Sequence, residues 1–378
     1  MIERRHVPAL DGLRGLAVAG VLLFHTGRLA GGFLGVDLFF ALSGFLITSQ
    51  LLAGGGLIAF WGRRIRRLLP ALVAMVATVT VVVWATAGPD LVRTTLGDGP
   101  WVQANLVNWH LIAESAGYWD RFGPGRVFEH LWSIAVEEQF YLLWPPIVML
   151  LGRSGRRVGT VAALGSVVSL VAMIALTGPG DPTRVYIGTD TRAFSLLLGA
   201  LVATSGVRRA LDAIPDRWAG ALAAALAVAI GTSWVLIDGV ASPWLFRGGL
   251  FAHSLASAVL IGLCARDLRS PLTSTLARQP LRWLGSISYS LYLWHWPVIV
   301  LLGAADADWA RVLTAYAISI VLAAASKYLV EDPVRFRAAW ARGRTGAAVL
   351  VAVMIALALL WVVLPAPAAP TIDLTDLD

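Results

Sequence analysis

The chain has one cysteine in 378 residues, Cys264, set in an apolar run. A single thiol excludes an intrachain disulfide and a cysteine-rich metal site. Charge is also scarce. Asp, Glu, Lys and Arg make up 14% of the residues, against roughly 25% in a soluble domain. With 58% hydrophobic residues, too little polar surface is left to cover a water-soluble globule. No stretch has the mixed composition of a soluble domain, no repeat of fixed period occurs, and no G-x-S-x-G elbow is present. The features of a cleaved signal peptide are missing too: the first apolar run contains Asp11, Arg14 and His25, so it reads as a retained helix. What is present is a series of apolar runs with 37 Gly and 16 Trp. That combination fits an all-α, polytopic integral membrane protein, for which lipid is the outer solvent.

The runs lie at Pro8–Gly27, Gly32–Ala53, Pro70–Ala87, His130–Leu151, Gly159–Leu176, Arg192–Thr204, Trp218–Leu236, Gly248–Ala265, Gly285–Gly303, Trp309–Val330 and Gly346–Leu364. A span needs roughly 17–25 residues, so the Arg192–Thr204 helix must borrow flanking residues. The expectation is about 10–11 transmembrane helices in the cell membrane. Placing the N-terminus in the cytoplasm puts 20 of the 30 Lys and Arg residues on the inside, among them Arg4, Arg5 and Arg63–Arg67. Seven fall outside, among them Arg121 and Arg126, and three fall within spans: Arg14, Arg192 and Lys327. This is the positive-inside pattern. It also removes nucleic acid as a partner, because the net charge of +7 is spread over six cytoplasmic segments and forms no single patch. The long outer segment Gly88–Glu129, rich in Trp, Asn, Gly and Tyr, is expected to fold back against the mouth of the bundle.

An ionisable group inside a span costs about 2.5–3.5 kcal/mol on insertion scales, so each one needs a reason. In DGLRGLAVAGVLLFH, Arg14 and His25 are eleven residues apart, near three helical turns, and share a face. Asp11 is one turn before Arg14 and is expected to pair with it. In HLWSIAVEEQFYLLWP, Glu137 and Glu138 are adjacent and cannot share a direction. One of the two is expected to face a cavity, where a buried carboxylate and the imidazole of His25 would form an acid–base pair. That cavity should open toward Arg63, Arg64, Arg66 and Arg67. These four ring about one helical turn in FWGRRIRRLLP, and they serve either topology and lipid headgroups or an anionic phosphate. Asp37, Ser43, Asp190, Arg192, Ser286, Ser288, Tyr289, Tyr292 and His295 are further polar groups within the runs. Taken singly, most of these suit helix packing. Nothing in the pattern calls for a metal.

Taken together, these motifs resemble the acyltransferase-3 family of membrane O-acyltransferases, the group that includes bacterial O-antigen and peptidoglycan O-acetylases and macrolide acyltransferases. The matching pieces are Arg14 and His25 with ten residues between, GFLGVDLFFALSGFLIT, RRIRRLLP, HLWSIAVEEQFYLLWP, the DTR of Asp190–Arg192, GSISYSLYLWHWPV, and SKYLVEDPVRFR with Glu331 and Pro333. They stand in the family's order from about Pro8 to Arg337. The resemblance implies transfer of an acyl group, commonly acetyl from acetyl-CoA or another acyl-CoA at the cytoplasmic side. The acceptor would be a hydroxyl of an envelope carbohydrate or a macrolide. It implies that His25 is the catalytic histidine with Arg14 as its partner, that Glu137 or Glu138 orients the histidine or the acceptor, and that Arg63–Arg67 hold the nucleotide phosphates. It also implies a membrane domain over 1–340, an additional helix over 341–364 and an extracellular Pro/Ala tail over 365–378. Many relatives carry an SGNH-type extracellular domain after that helix, so a separate extracytoplasmic partner is expected in its place. The competing classes are a proton-coupled exporter of a polysaccharide or acylated product and a non-catalytic membrane assembly partner. No inverted repeat of the transporter kind is seen.

Overall fold

Lipid offers no partner to a backbone amide, so an apolar chain in a bilayer satisfies its N–H and C=O groups within helices. The structure, a computed structural model, follows that rule. It describes residues 6–119, 125–239, 241–266 and 268–367, and among these it contains helices and turns but no strand. Arg4, Arg5, Arg121 and the tail beyond residue 367 lie outside the described residues. In chain order the helices are α1 (Pro8–His25), α2 (Gly35–Leu52), α3 (Leu57–Thr86), α4 (Pro89–Gln103), α5 (Val107–Ala113), α6 (Trp132–Leu150), α7 (Gly155–Leu176) and α8 (Thr183–Ile187). They continue with α9 (Thr189–Val202), α10 (Ser205–Asp212), α11 (Asp216–Leu236), α12 (Gly249–Cys264), α13 (Pro271–Leu276), α14 (Gln279–Leu302), α15 (Trp309–Ala325) and α16 (Gly343–Val363).

Each of the eleven expected runs falls on a helix. Among the described residues, seven helices are long and apolar enough to cross a membrane: α1, α2 with the turn before it, α3, α7, α11, α15 with its continuation to Arg337, and α16. Helices α9 and α10 make an eighth if they are taken as one span bent by 65°. The other three runs are α6, which carries Glu137 and Glu138, the 16-residue α12, and α14, with its serines, tyrosines and His295. The chain is therefore an all-α, multi-pass membrane protein.

Two boundaries differ from expectation in ways that matter for the site. Helix α3 begins at Leu57 rather than Pro70 and runs unbroken for 30 residues. That is roughly 45 Å at 1.5 Å per residue, longer than about 30 Å of hydrocarbon. Arg63–Arg67 therefore ride on the extended end of a membrane helix. The short Arg192 run gains only three residues at its start, and the chain then bends after Val202 rather than lengthening.

Small residues let the central helices touch. Helix α1 packs along α14, and α2 along α9. A Cβ on Gly285 would fall on the Asp11 carbonyl, and one on Gly199 would fall on the Ala41 carbonyl. These are the close crossings that glycine permits inside membranes. At the end of α3 away from Arg63–Arg67, α4 and α5 fold against the bundle, as expected for the described part of the 88–129 segment. The lipid-facing α16 is held there by Gln103 of α4. The Gln103 side-chain amide donates to the Met354 carbonyl at 2.8 Å and accepts from the Trp361 indole at 2.8 Å.

Candidate functional site

Five helices bring their polar residues to one cavity of about 70 Å³. Helix α1 supplies Arg14, α2 supplies Ser43, α3 supplies Arg64 and Arg67, α6 supplies Ser133, Glu137 and Tyr141, and α14 supplies Ser288, Tyr289 and Tyr292. The α6 residues are four apart, so they stack on one face of the helix. Glu137 is the carboxylate that faces the cavity, and Glu138 is not in its lining. Ser43 donates to Glu137 Oε1 at 2.8 Å, and the Tyr141 hydroxyl lies 3.0 Å from Glu137 Oε2 and 3.0 Å from Ser43 Oγ. Arg64 lies over the Tyr141 ring at 4.2 Å. Three guanidinium groups thus share the cavity wall with one hydrogen-bonded carboxylate. Arg64 Nε and Arg67 Nε are buried without a hydrogen-bond partner among the described residues. Such a site has spare donors for an anion.

The four-arginine ring is divided. Arg64 and Arg67 line the cavity, whereas Arg63 is exposed and Arg66 half-buried outside the lining. Asp11 attracts Arg14 through charge but makes its hydrogen bond elsewhere. Its carboxylate accepts from His6 Nε2 at 2.6 Å and is not hydrogen-bonded to Arg14, which turns into the cavity.

His25 does not line that cavity. It ends α1 about 16 Å along the axis from Arg14, at 1.5 Å per residue, and belongs to a second cluster. His25 Nδ1 is 3.0 Å from His295 Nε2, and His295 Nδ1 is 2.7 Å from the Tyr292 carbonyl. A carbonyl only accepts, so His295 carries its proton on Nδ1 and presents Nε2 as an acceptor. His25 therefore donates from Nδ1 and keeps a lone pair on Nε2. Trp296 packs beside His25 at a centroid distance of 4.7 Å. His130 meets His295 edge-on at 5.5 Å and donates through Nε2 to the Leu293 carbonyl at 3.1 Å. Tyr292 joins the two clusters. Its hydroxyl is in the cavity wall, bonded to Ser133 at 2.6 Å and to the His130 carbonyl at 2.9 Å, while its own carbonyl orients His295.

The remaining predicted residues are placed elsewhere. Asp37 and Arg192 form a fully buried ion pair at 3.0 Å between α2 and α9. Ser195 and Ser254 also donate to Asp37, at 3.0 and 2.8 Å. Asp190 points away from Arg192 and pairs with Arg184 at 2.7 Å. Glu331 is buried beside Lys327 at 3.7 Å and Arg335 at 3.8 Å. Tyr289 lines the cavity and donates to the Leu68 carbonyl at 2.9 Å. Sequence reasoning missed Tyr141, Ser133, His130 and Trp296 as site residues. For the first two the signal was available, since Ser133, Glu137 and Tyr141 recur every fourth residue.

Over residues 7–358 the chain matches the family model described as an acyltransferase domain. It is 39% identical over 355 residues to YrhL of Bacillus subtilis, covering 88% of this chain and 55% of that protein. It is 36% identical over 355 residues to the peptidoglycan O-acetyltransferase OatA of Listeria monocytogenes, covering 88% and 56%. It is 35% identical over 356 residues to the O-acetyltransferase OatA of Staphylococcus aureus, covering 89% and 58%. The chain thus spans little more than half the length of these curated relatives. No solved structure matches it.

Proposed function

The chain belongs to the acyltransferase-3 family, whose model covers nearly all of it, and from that premise we propose that it is an integral-membrane O-acyltransferase of the cell envelope. In this reading the donor is an acyl-CoA, acetyl-CoA first, and the acceptor is a hydroxyl of an envelope glycan. The names of the Listeria and Staphylococcus relatives support acetyl transfer, and the Listeria name supports peptidoglycan. The basic ends of the helices support an inward-facing donor side.

The observation that carries the proposal is the division of labour along α1: Arg14 in a cavity rich in arginine, and His25 held in one tautomer at the other end. Arg14, Arg64 and Arg67 would hold the phosphates and the polar start of the donor, with Arg63 at the rim. The pantetheine arm is the uncharged part of the donor able to run past Ser133 and Tyr292 toward His25. His25 Nε2 would take the proton from the acceptor hydroxyl as its oxygen bonds to the thioester carbon. As the carbon–sulfur bond breaks, the imidazolium would return that proton to the departing thiolate. His295 would serve as the positioning residue, doing for the tautomer what a carboxylate does in a Ser-His-Asp arrangement. Glu137 would keep the cavity from carrying three uncompensated charges. The domain limits expected from sequence, with the transferase core over 1–340, remain part of this reading.

The test is to incubate the protein in liposomes with labelled acetyl-CoA and peptidoglycan fragments. Label is expected on the glycan as an alkali-labile ester. Label transport without ester formation would favour an exporter and end the proposal.

A further inference from the structure

The outer polar cluster on α4 and α5 has no part in the transfer just described. Asp98 is 1% exposed, and His110 Nε2 lies 3.2 Å from its Oδ1. Arg126 bridges the two helices: Nη1 donates to Asp98 Oδ1 at 2.7 Å, and Nη2 donates to Glu114 Oε2 at 2.5 Å. Asp98, His110 and Glu114 gather ligand-type atoms within 4.8 Å of one another, but the Arg126 guanidinium already supplies the cation. A planar fork suits this bridge better than a lysine point charge. The ion pairs therefore fix the start of the 125–131 segment, and the connection runs inward from there. The Arg126 backbone carbonyl accepts the Trp296 indole N–H at 2.8 Å, and the Trp296 ring lies 4.7 Å from that of His25. Val127 and Phe128 are buried, and four residues beyond Arg126 the His130 ring packs on His295.

We infer that Arg126 is a positioning residue for the histidine site. Clamped by Asp98 and Glu114, it holds Trp296 through its carbonyl, and Trp296 holds the outer face of His25. The inference rests on the reading of His25 as the base. A reacting group misplaced by about 1 Å loses on the order of 100-fold in rate. A long-range clamp of this kind should therefore be visible in kcat.

The experiment compares Arg126→Ala, Trp296→Phe and the double variant in liposomes with acetyl-CoA and a glycan acceptor. Each single change is expected to lower kcat about 10- to 100-fold while leaving KM for acetyl-CoA unchanged, because the donor cavity is at the other end of α1. Arg126→Lys should restore part of the loss. The double variant should lose no more than the worse single one, because both changes cut the same connection. Losses that multiply, a raised donor KM with intact kcat, or unchanged single variants would each overturn the inference. If Arg126→Ala fails to insert, Glu114→Gln takes its place and the same non-additivity with Trp296→Phe is expected. His25→Ala separates the two levels. If it still transfers, the reading of His25 falls. If it is inactive while Arg126→Ala and Trp296→Phe turn over normally, only the positioning inference falls.

Discussion

Helix α2 contributes to two charged clusters about 9 Å apart along its axis, at 1.5 Å per residue, and they are built on opposite plans. Around Asp37, one carboxylate meets one guanidinium and two serines in a fully buried setting. The Arg192 group lies among the faces of Phe40 and Tyr186, at 5.6 and 5.0 Å. Around Ser43, one carboxylate meets three arginines at a cavity, and two arginine donors are left over. The first cluster balances one anion against one cation, although Asp37 Oδ2 and Arg192 Nε, Nη1 and Nη2 also have no hydrogen-bond partner among the described residues. The second sets three cations against one carboxylate in its lining. The difference is therefore one of charge balance and access: a closed pair between two helices, and a cationic excess at a cavity.

Breaking the Asp37 pair should give the largest effect on folding. Asp37→Ala leaves Arg192 buried and uncompensated, which costs about 3–5 kcal/mol. Asp37→Leu with Arg192→Met should regain most of that loss in a thermal-inactivation assay, as a purely structural pair would. If the double variant folds well but no longer transfers, the pair belongs to the site after all. Breaking the cavity should look different. Arg64→Ala or Arg67→Ala should fold normally and raise KM for the acyl-CoA roughly 10- to 100-fold, the worth of one charge-assisted hydrogen bond at about 1.5–3 kcal/mol. An unchanged KM would return the two arginines to topology and lipid headgroups. Glu137→Gln sharpens the contrast through its sign. It makes the cavity more positive, so KM for the donor should fall, by up to about fivefold for a contribution near 1 kcal/mol. A collapse of kcat instead would make Glu137 part of the chemistry.

The smallest expected effect is at the outer surface. The hydrogen bond from Arg126 holds the Glu114 carboxyl below its usual range. A lowered carboxylate adds stability above its unfolded value of about 4.3, and that contribution fades as pH falls through the lowered value. Glu114→Gln should therefore leave stability near pH 7 slightly lower and flatten its fall in acid. Glu114 is about half exposed, so solvent screens the pair and the change should be small. Acid sensitivity equal to that of the unmodified chain would show that the pair adds no stability.

How far the sequence revealed this site depended on whether a feature was local. Arg14 and His25 share one helix, so a spacing of eleven placed them on one face, and the basic loops supported the segment count. Glu137 and Glu138 are neighbours, and only packing against Ser43 decides between them. The Arg63–Arg67 ring covers every side of its helix, so which two arginines turn inward depends on where α1 and α6 lie. His295 is 270 residues from His25, and the Asp37–Arg192 pair also joins distant helices. No periodicity connects such partners. Asp11 shows the same limit: helical spacing suggested Arg14, on which its charge does act, but its hydrogen bond goes to His6 in the segment before the helix.

In the proposed reading, donor binding and proton removal are separate tasks at opposite ends of α1. The most direct test measures acetyl-CoA affinity and acetyl transfer together in His25→Ala. Affinity is expected within about twofold of the unmodified chain, and transfer lowered by about 10²- to 10⁴-fold, the range for loss of a general base. Transfer at the unmodified rate, or loss of affinity together with loss of transfer, would contradict that division of tasks.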